Sequence, residues 1–468
     1  MKINALGRTV IADLTSPAAV YARLRDRYAN TFLLESSDFH SADDCRSFIC
    51  CDPIAEFVVE GDEYAVSYLG KRHDSKPLER ARGLSRALAE FLGSFELRHA
   101  PLPKGMVNGA FGYISWDAIE YMENIAFQCP VDPDLAIPKA RFMVFRYVMA
   151  FNHFRNEVHI LENQVDGDVY GGGLDEFVHA AFEASVRTFP FRLRGEEISV
   201  LSDEQFLDLV SVCKKHITRG DVFEIVPSRR YMHRFEGDDF QVYRALRSIN
   251  PSPYLFYCDF GGYKLLGSSP EAQIIVQDGK ASIFPIAGTY PRSGDDELDR
   301  TRAQQLLQDP KENAEHCMLV DLARNDLSRH CKNVQVVKYR ETQFFSHVIH
   351  LVSKVMGTLT DPKAACQIVS DTFPAGTLSG APKHRAMQIL DLNEPVRRGH
   401  YGGCLGLLGF NGDVVLGIMI RSFLSIKDTL VYQAGMGVVY DSVPENELNE
   451  AHAKLGALRA ALQRAQEI

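Results

Sequence analysis

The stretch Leu405-Gly406-Leu407-Leu408-Gly409-Phe410-Asn411-Gly412-Asp413-Val414-Val415-Leu416-Gly417-Ile418-Met419-Ile420-Arg421-Ser422-Phe423-Leu424-Ser425-Ile426 decides the fold class. Two apolar runs flank Asn411-Gly412, a dipeptide that tolerates the positive φ angles of a tight hairpin turn. The second run reads as one strand over 414–426. Lys427-Asp428 then turns the chain into Leu430-Val431-Tyr432-Gln433-Ala434. Strands joined by turns this short run antiparallel. Helical patterns interleave with them, so the expected class is α+β, with antiparallel sheet instead of a doubly wound parallel one.

Upstream, residues 142–152 and 157–161 read as strands. Asp166, Asp168 and Gly171-Gly172-Gly173 mark a loop, with a helix after it. Ser202 and Gln205 form a capping-box pair. The helix they start carries Phe206, Leu209, Val210, Cys213 and Ile217 on one face and stops at Gly220. Arg194-Gly195-Glu196-Glu197 separates apolar segments just before it, which places a boundary near residue 195: an N-terminal region, 1–195, and a C-terminal domain, 196–468.

With 51 Lys+Arg against 61 Asp+Glu, the net charge of -10 disfavours nucleic acid and requires any anionic substrate to find local positive groups. Ten cysteines without a CxxC pair read as reduced thiols, which points to the cytoplasm and away from a zinc site. No apolar run reaches the length of a membrane span.

Glu312 and Glu315 stand at i and i+3 on a predicted helix over 311–329. Glu447, Glu450 and Lys454 share one side of the helix expected after Pro444. Taken singly, each group reads as a solvated charged face. Together, two helices offering one carboxylate each suit Mg²⁺, which keeps several waters and takes further ligands from substrate. Arg421, inside an apolar run, needs an anionic partner, either a structural carboxylate or a substrate carboxylate. Gly435-Met436-Gly437 permits close approach of backbone N–H groups to an anion, or is simply a bulge. Gly376-Thr377-Leu378-Ser379-Gly380-Ala381-Pro382-Lys383 lacks the spacing of a phosphate loop. His350, in a strand-like segment, reads as a core histidine or as an acid–base group.

Pro285-Ile286-Ala287-Gly288-Thr289, Glu315-His316-Cys317-Met318-Leu319-Val320-Asp321-Leu322-Ala323-Arg324-Asn325-Asp326, residues 376–383 and residues 433–442 together closely resemble the chorismate-utilising enzymes, and among them the anthranilate synthase component I family. Leu33-Leu34-Glu35-Ser36 and Gly109-Ala110-Phe111-Gly112-Tyr113 extend the resemblance towards the N-terminus. It implies a sandwich of antiparallel sheets with helices outside, and conversion of chorismate and ammonia to anthranilate and pyruvate. It implies a glutamine amidotransferase subunit as ammonia donor, and so a hetero-oligomer.

Carried over by resemblance, Glu315 and Glu450 are Mg²⁺ ligands with Glu312 and Glu447 in support. Tyr401, Arg421 and the backbone of Gly435, Met436 and Gly437 anchor the enolpyruvyl carboxylate, and Gly288 and Thr289 face the ring. Glu271 protonates the departing 4-hydroxyl, His350 and Thr377 assist elimination of pyruvate, and Lys454 adds positive charge. Ser36, Pro253, Tyr254 and Leu255 resemble a tryptophan feedback site.

Ala287 stands where aminodeoxychorismate synthases resemble one another in carrying Lys, so direct attack by ammonia is implied. Two positions depart from the family pattern: Glu224 replaces the usual Gln, at a position where isochorismate synthases carry a Lys base, and Tyr290 replaces the usual Arg. The alternatives are an aminodeoxychorismate or aminodeoxyisochorismate synthase component, or a regulator that binds tryptophan or chorismate without catalysis.

Overall fold

The computed structural model describes residues 1–36, 46–99, 106–168, 172–344, 348–361 and 364–468. Its architecture follows from two strands long enough to serve two sheets. Arg46–Glu60 and Ala140–Asn152 run antiparallel along each other, with a register break between Pro53 and Ala55. Pro53 has no N–H to give to a ladder, so a break there costs little.

On one side of the break, residues 140–144 pair with Gly109–Ile114. The sheet continues through Cys404–Gly409, Val414–Ile418, Ala272–Gln277 and Lys280–Ile283 to Val348–Leu359. On the other side, Arg46–Glu60 pairs with Phe32–Glu35. That sheet continues through Tyr254–Asp259, Tyr263–Ser269, Ser422–Ile426 and Thr429–Gly435 to Ser228–Gly237. Each of these pairs is antiparallel, as the Asn-Gly hairpin requires.

Side chains alternate across the strands and sort into layers. Phe32, Phe111, Phe145, Phe256, Leu407 and Leu424 meet between the sheets. Phe142, Val144, Leu408 and Ile274 face outward against the helices Gly83–Gly93, Pro310–Ser328 and Ala365–Thr372. Leu33, Tyr257, Leu266 and Tyr432 face outward on the other side, against Phe240–Ile249 and Pro444–Arg464. The result is helix, sheet, sheet, helix: an α+β sandwich.

Local readings meet this frame with two differences. Ser202 and Gln205 form a reciprocal capping box on Asp203–Thr218, and Pro444 opens the last helix. Lys427 and Asp428 both take positive φ, 47° and 56°, as a primed hairpin turn demands. The run over 414–426, however, is two strands, broken at Met419–Arg421 where the chain passes between sheets. A periodicity of apolar residues is blind to such a passage because both sheets want apolar side chains. Gly195 lies at a bulge inside the strand Phe191–Ser199, and pairings such as Gly109–Ile114 with Cys404–Gly409 join residues on either side of it. Among the described residues, no helix is long and apolar enough to cross a membrane.

Gly112 is where the sheets are least forgiving: a Cβ there would lie inside contact distance of the Arg141 carbonyl. Gly112→Ala is expected to destabilise the fold by about 3 kcal/mol, read from urea unfolding, because backbone and not a flexible side chain must move.

Candidate active site

The chain passes between the sheets twice at one place. Tyr263–Ser269 belongs to one sheet and Ala272–Gln277 to the other, with Glu271 at the crossing. Val414–Ile418 and Ser422–Ile426 make the return, with Arg421 at the crossing and at φ 50°. The crossings are tied together: Ile418 N–H donates to the Glu271 carbonyl at 2.9 Å and Ser268 N–H to the Arg421 carbonyl at 3.1 Å. A backbone forced into the left-handed region at a non-glycine residue is costly, and such positions cluster at functional sites.

The Thr377 hydroxyl, on the short helix Gly376–Ser379, donates to Glu271 Oε1 at 2.8 Å. Loss of hydration pushes the Glu271 carboxyl up to about 7, although Thr377, Lys454 and Arg421 pull it down. Loss of hydration likewise lowers the Arg421 guanidinium, while Tyr401, Glu450 and Glu271 favour its charge. Among the described residues no side chain forms an ion pair or hydrogen bond with that guanidinium, so of the two partners the sequence left open, a structural carboxylate is absent. Tyr401 is buried beside Gly435, where a Cβ would stand 2.9 Å from the Tyr401 hydroxyl. Gly437 similarly makes room for Glu224 Oε1, 2.5 Å from its would-be Cβ. Met436 between them is buried and its N–H donates to the Pro227 carbonyl at 3.3 Å, so that N–H is directed at the fold.

The carboxylates converge from two helices. Loss of hydration pushes Glu315 up to about 7, with Glu312 and Glu450 adding to the effect. Glu447 is raised too, chiefly by burial, and its buried Oε2 has no partner among the described residues. Lys454 Nζ donates to the Gly435 carbonyl at 3.0 Å and pairs with Glu450 at 2.7 Å. Among the described residues no three His, Cys, Asp or Glu gather as a complete metal cage. Glu315 and Glu450, one from each helix and close enough for Glu450 to act on Glu315, nonetheless fit a hard cation that draws its other ligands from water and substrate.

Gly288 takes φ 74°, and a Cβ there would approach Glu312 Oε2 at 3.3 Å. Its carbonyl meets His350 Nδ1 at 2.8 Å, and burial keeps that imidazole below its usual range, towards the neutral form. The side chain of Thr289 lies outside the described residues; its backbone pairs with His350. Tyr290 donates to Asp309 Oδ2 at 3.1 Å, and Asp309 caps the helix Pro310–Ser328 that carries Glu312 and Glu315.

Sequence reasoning missed the braces behind these groups. Arg398, fully buried over the Trp116 ring, donates to the Leu378 and Val226 carbonyls at 2.7 and 2.6 Å and pairs with Glu394. Glu394 in turn accepts from the Ser228 N–H and hydroxyl. Glu394 and Arg398 both lie beyond the end of the helix Lys383–Asn393, with Pro395 between them, so no helical spacing signalled the pair. Lys383 is committed to Asp326 at 2.5 Å and to the Thr372 carbonyl, which accounts for it without a phosphate. Elsewhere, Ser36, Pro253, Tyr254 and Leu255 line one cavity of about 640 Å³.

A family model described as chorismate binding enzyme matches residues 17–460, and the chain belongs to that family of enzymes. Within it, the chain is 36% identical to anthranilate synthase component 1 of Acetivibrio thermocellus, covering 98% of this chain and 95% of the relative. It is 34% identical to the Thermus thermophilus protein of the same name, covering 99% of each. The crystal structure of anthranilate synthase component I from Streptococcus pneumoniae superposes with a TM-score of 0.78 at 32% identity, covering 96% of this chain and 99% of that one. The menaquinone-specific isochorismate synthase of Escherichia coli, at 18% identity and TM-score 0.73, shares the fold.

Glu271 binds its proton more tightly in the folded chain than at its ordinary value of 4.5. The stability this contributes is full below about 4.5 and is lost as pH rises through about 7. Glu315 and Glu224, raised to about 7 and about 8, act in the same sense. Without added metal, the unfolding midpoint is expected to fall between pH 5 and 8, on the order of these shifts, and Glu271→Gln to flatten part of that fall. Thermal scans at fixed pH values measure it.

Proposed function

We propose that this chain is the chorismate-converting component of an anthranilate synthase: chorismate and ammonia give anthranilate and pyruvate. The observation that carries the reading is the placement of Glu271 and Arg421 at the two adjoining sheet crossings. One supplies a proton near neutral pH and the other, with Tyr401, an anion anchor. The names of relatives 34–36% identical over nearly the whole chain support the same choice.

Chorismate carries two carboxylates, and the site offers two ways to hold them. Arg421 and Tyr401 take the enolpyruvyl carboxylate, with Gly435 allowing the approach. Glu315 and Glu450, supported by Glu312 and Glu447, would hold Mg²⁺, whose contribution is Lewis-acid attraction for the ring carboxylate. Gly288 and Thr289 border the ring.

Ammonia forms a bond to C2, the ring double bonds shift, and the C4–O bond breaks. Its electron pair leaves on the oxygen, which takes the Glu271 proton and departs as water. The new ammonium nitrogen releases one proton, so the charge balance closes with Glu271 reprotonated. In the second step the ring loses its C2 proton and the C3–O bond breaks as the ring aromatises; the side chain leaves as the enolate of pyruvate, and uptake of one proton on its methylene carbon gives pyruvate, so the proton count closes. In this reading His350 takes the C2 proton, a role supported by its hydrogen bond to the Gly288 carbonyl and its lean towards the neutral form, while Thr377 holds Glu271. Ala287 offers no amine, so the nitrogen arrives free and not through a lysine adduct.

A glutamine amidotransferase, component II of such enzymes, supplies the ammonia in this reading. Tryptophan occupies the cavity at Ser36 and Pro253–Leu255, shifting the chain towards a less active arrangement. Asn250 beside that cavity hydrogen-bonds to Ser268, whose N–H holds the Arg421 carbonyl, which gives the two sites a short physical connection.

Chorismate, Mg²⁺ and ammonium are expected to give a fluorescent product of anthranilate mass. Isochorismate or aminodeoxychorismate would overturn the reading. Glu271→Gln is expected to lose about 100-fold or more in kcat, with Mg²⁺ affinity by calorimetry unchanged. In the parent enzyme kcat falls as pH rises through about 7, because the acid form of Glu271 is required.

A further inference from the structure

Glu271 borders a second, smaller cavity, of about 40 Å³, whose other polar lining is Gln273, Asp326, Thr372 and Thr377. Its apolar wall includes Leu319 and Ala323 of the helix Pro310–Ser328. Glu315, Glu450, Arg421 and Tyr401 are not among its lining residues, which sets it apart from the space proposed for metal and substrate. Gln273 stands at the register break between Ala272 and Ile274 and is 2% exposed. Its Nε2 donates to the Thr372 carbonyl at 3.0 Å, while its buried Oε1 has no partner among the described residues. A buried water needs roughly 10–15 Å³ and two or more polar partners. The cavity offers both.

A chain of charged groups leads from this cavity outward. Asp326 is 5% exposed and accepts from Lys383 Nζ at 2.5 Å. Burial raises its carboxyl, Lys383 and Arg329 pull it down, and Asp371 raises it again. Asp371 accepts from Gln367 Nε2 at 3.1 Å, and its Oδ2 stands 2.7 Å from Nε2 of His330, whose side chain is 31% exposed. The groups therefore run from solvent at His330 to the proton donor, on the side of the helices Pro310–Ser328 and Ala365–Thr372.

We propose that Asp326 recharges Glu271 with a proton in each turnover, through a water that Gln273 positions in the cavity. This rests on the anthranilate synthase reading above, in which Glu271 gives up a proton to the departing oxygen while the ring occupies the substrate side. The water donates one O–H to Gln273 Oε1 and the other to the Glu271 carboxylate, and accepts from the Asp326 carboxyl. As the proton moves, an O–H bond breaks on Asp326 and forms on the water, and another breaks on the water and forms on Glu271. Asp326 is left as an anion beside the Lys383 ammonium, which favours this direction, and regains its proton from solvent at the His330 end.

Chemical rescue in the ammonium-dependent reaction tests the path. Asp326→Ala is expected to lower kcat about tenfold or more, with the KM for chorismate and the Mg²⁺ affinity within twofold and a larger solvent deuterium isotope effect than in the parent. Formate is expected to restore kcat as its concentration rises. Nitrate, which can pair with Lys383 but cannot carry a proton near neutral pH, is expected to leave it low. Should Asp326→Ala not fold, Gln273→Leu keeps the Lys383–Asp326 pair and is expected to lower kcat about threefold or more, again with a raised isotope effect. An unchanged kcat in the variant measured, equal rescue by formate and nitrate, or a fall in kcat with the parent's isotope effect overturns the inference alone. A parent enzyme that makes no anthranilate overturns the functional reading and the inference with it.

Discussion

Everything at the site hangs on two backbone hydrogen bonds between the sheet crossings, Ile418 N–H to the Glu271 carbonyl and Ser268 N–H to the Arg421 carbonyl. Neither crossing is a regular ladder position, so each would otherwise leave polar backbone unpaired in a dry interior. By satisfying one another they fix a carboxyl and a guanidinium to the rigid frame and not to loops. That rigidity matters because a reacting group displaced by an ångström loses much of its effect.

The electrostatics follow from the same placement. Glu271, Glu315 and Glu224 all lose water, and all resist ionisation for that reason first. Lys454, Lys311 and Arg421 oppose the accumulated negative charge within the site. A divalent cation between the two glutamate-bearing helices, as proposed, would relieve the rest. The arrangement thus keeps an acid protonated near neutral pH while offering cationic groups to a dianion, a separation of roles that depends on environment and not on residue type.

Much of the fold was legible. The Asn411-Gly412 turn, the Lys427-Asp428 turn and the Ser202 capping box are local, and local chemistry settled them. The break at Met419–Arg421 was not legible, because a strand passing from one buried face to another keeps the same apolar composition. The glutamate helices read as plain acidic surfaces until neighbouring motifs gave them a resemblance. Glu394 and Arg398 were hidden for a different reason. Their value lies in carbonyls far away in sequence, Leu378 and Val226, which spacing cannot reveal. Gly435 and Gly437 were read as openings for an anion, and the structure gives them a further use, room for the Tyr401 hydroxyl and the Glu224 carboxyl.

A crystal structure of the Glu271→Gln variant with chorismate and Mg²⁺ tests the central claim most directly. The account predicts the enolpyruvyl carboxylate on Arg421 and Tyr401, the metal between Glu315 and Glu450 on the ring carboxylate, and the C4 oxygen within hydrogen-bond reach of residue 271. A metal bound elsewhere, or a C4 oxygen facing away from residue 271, would contradict it.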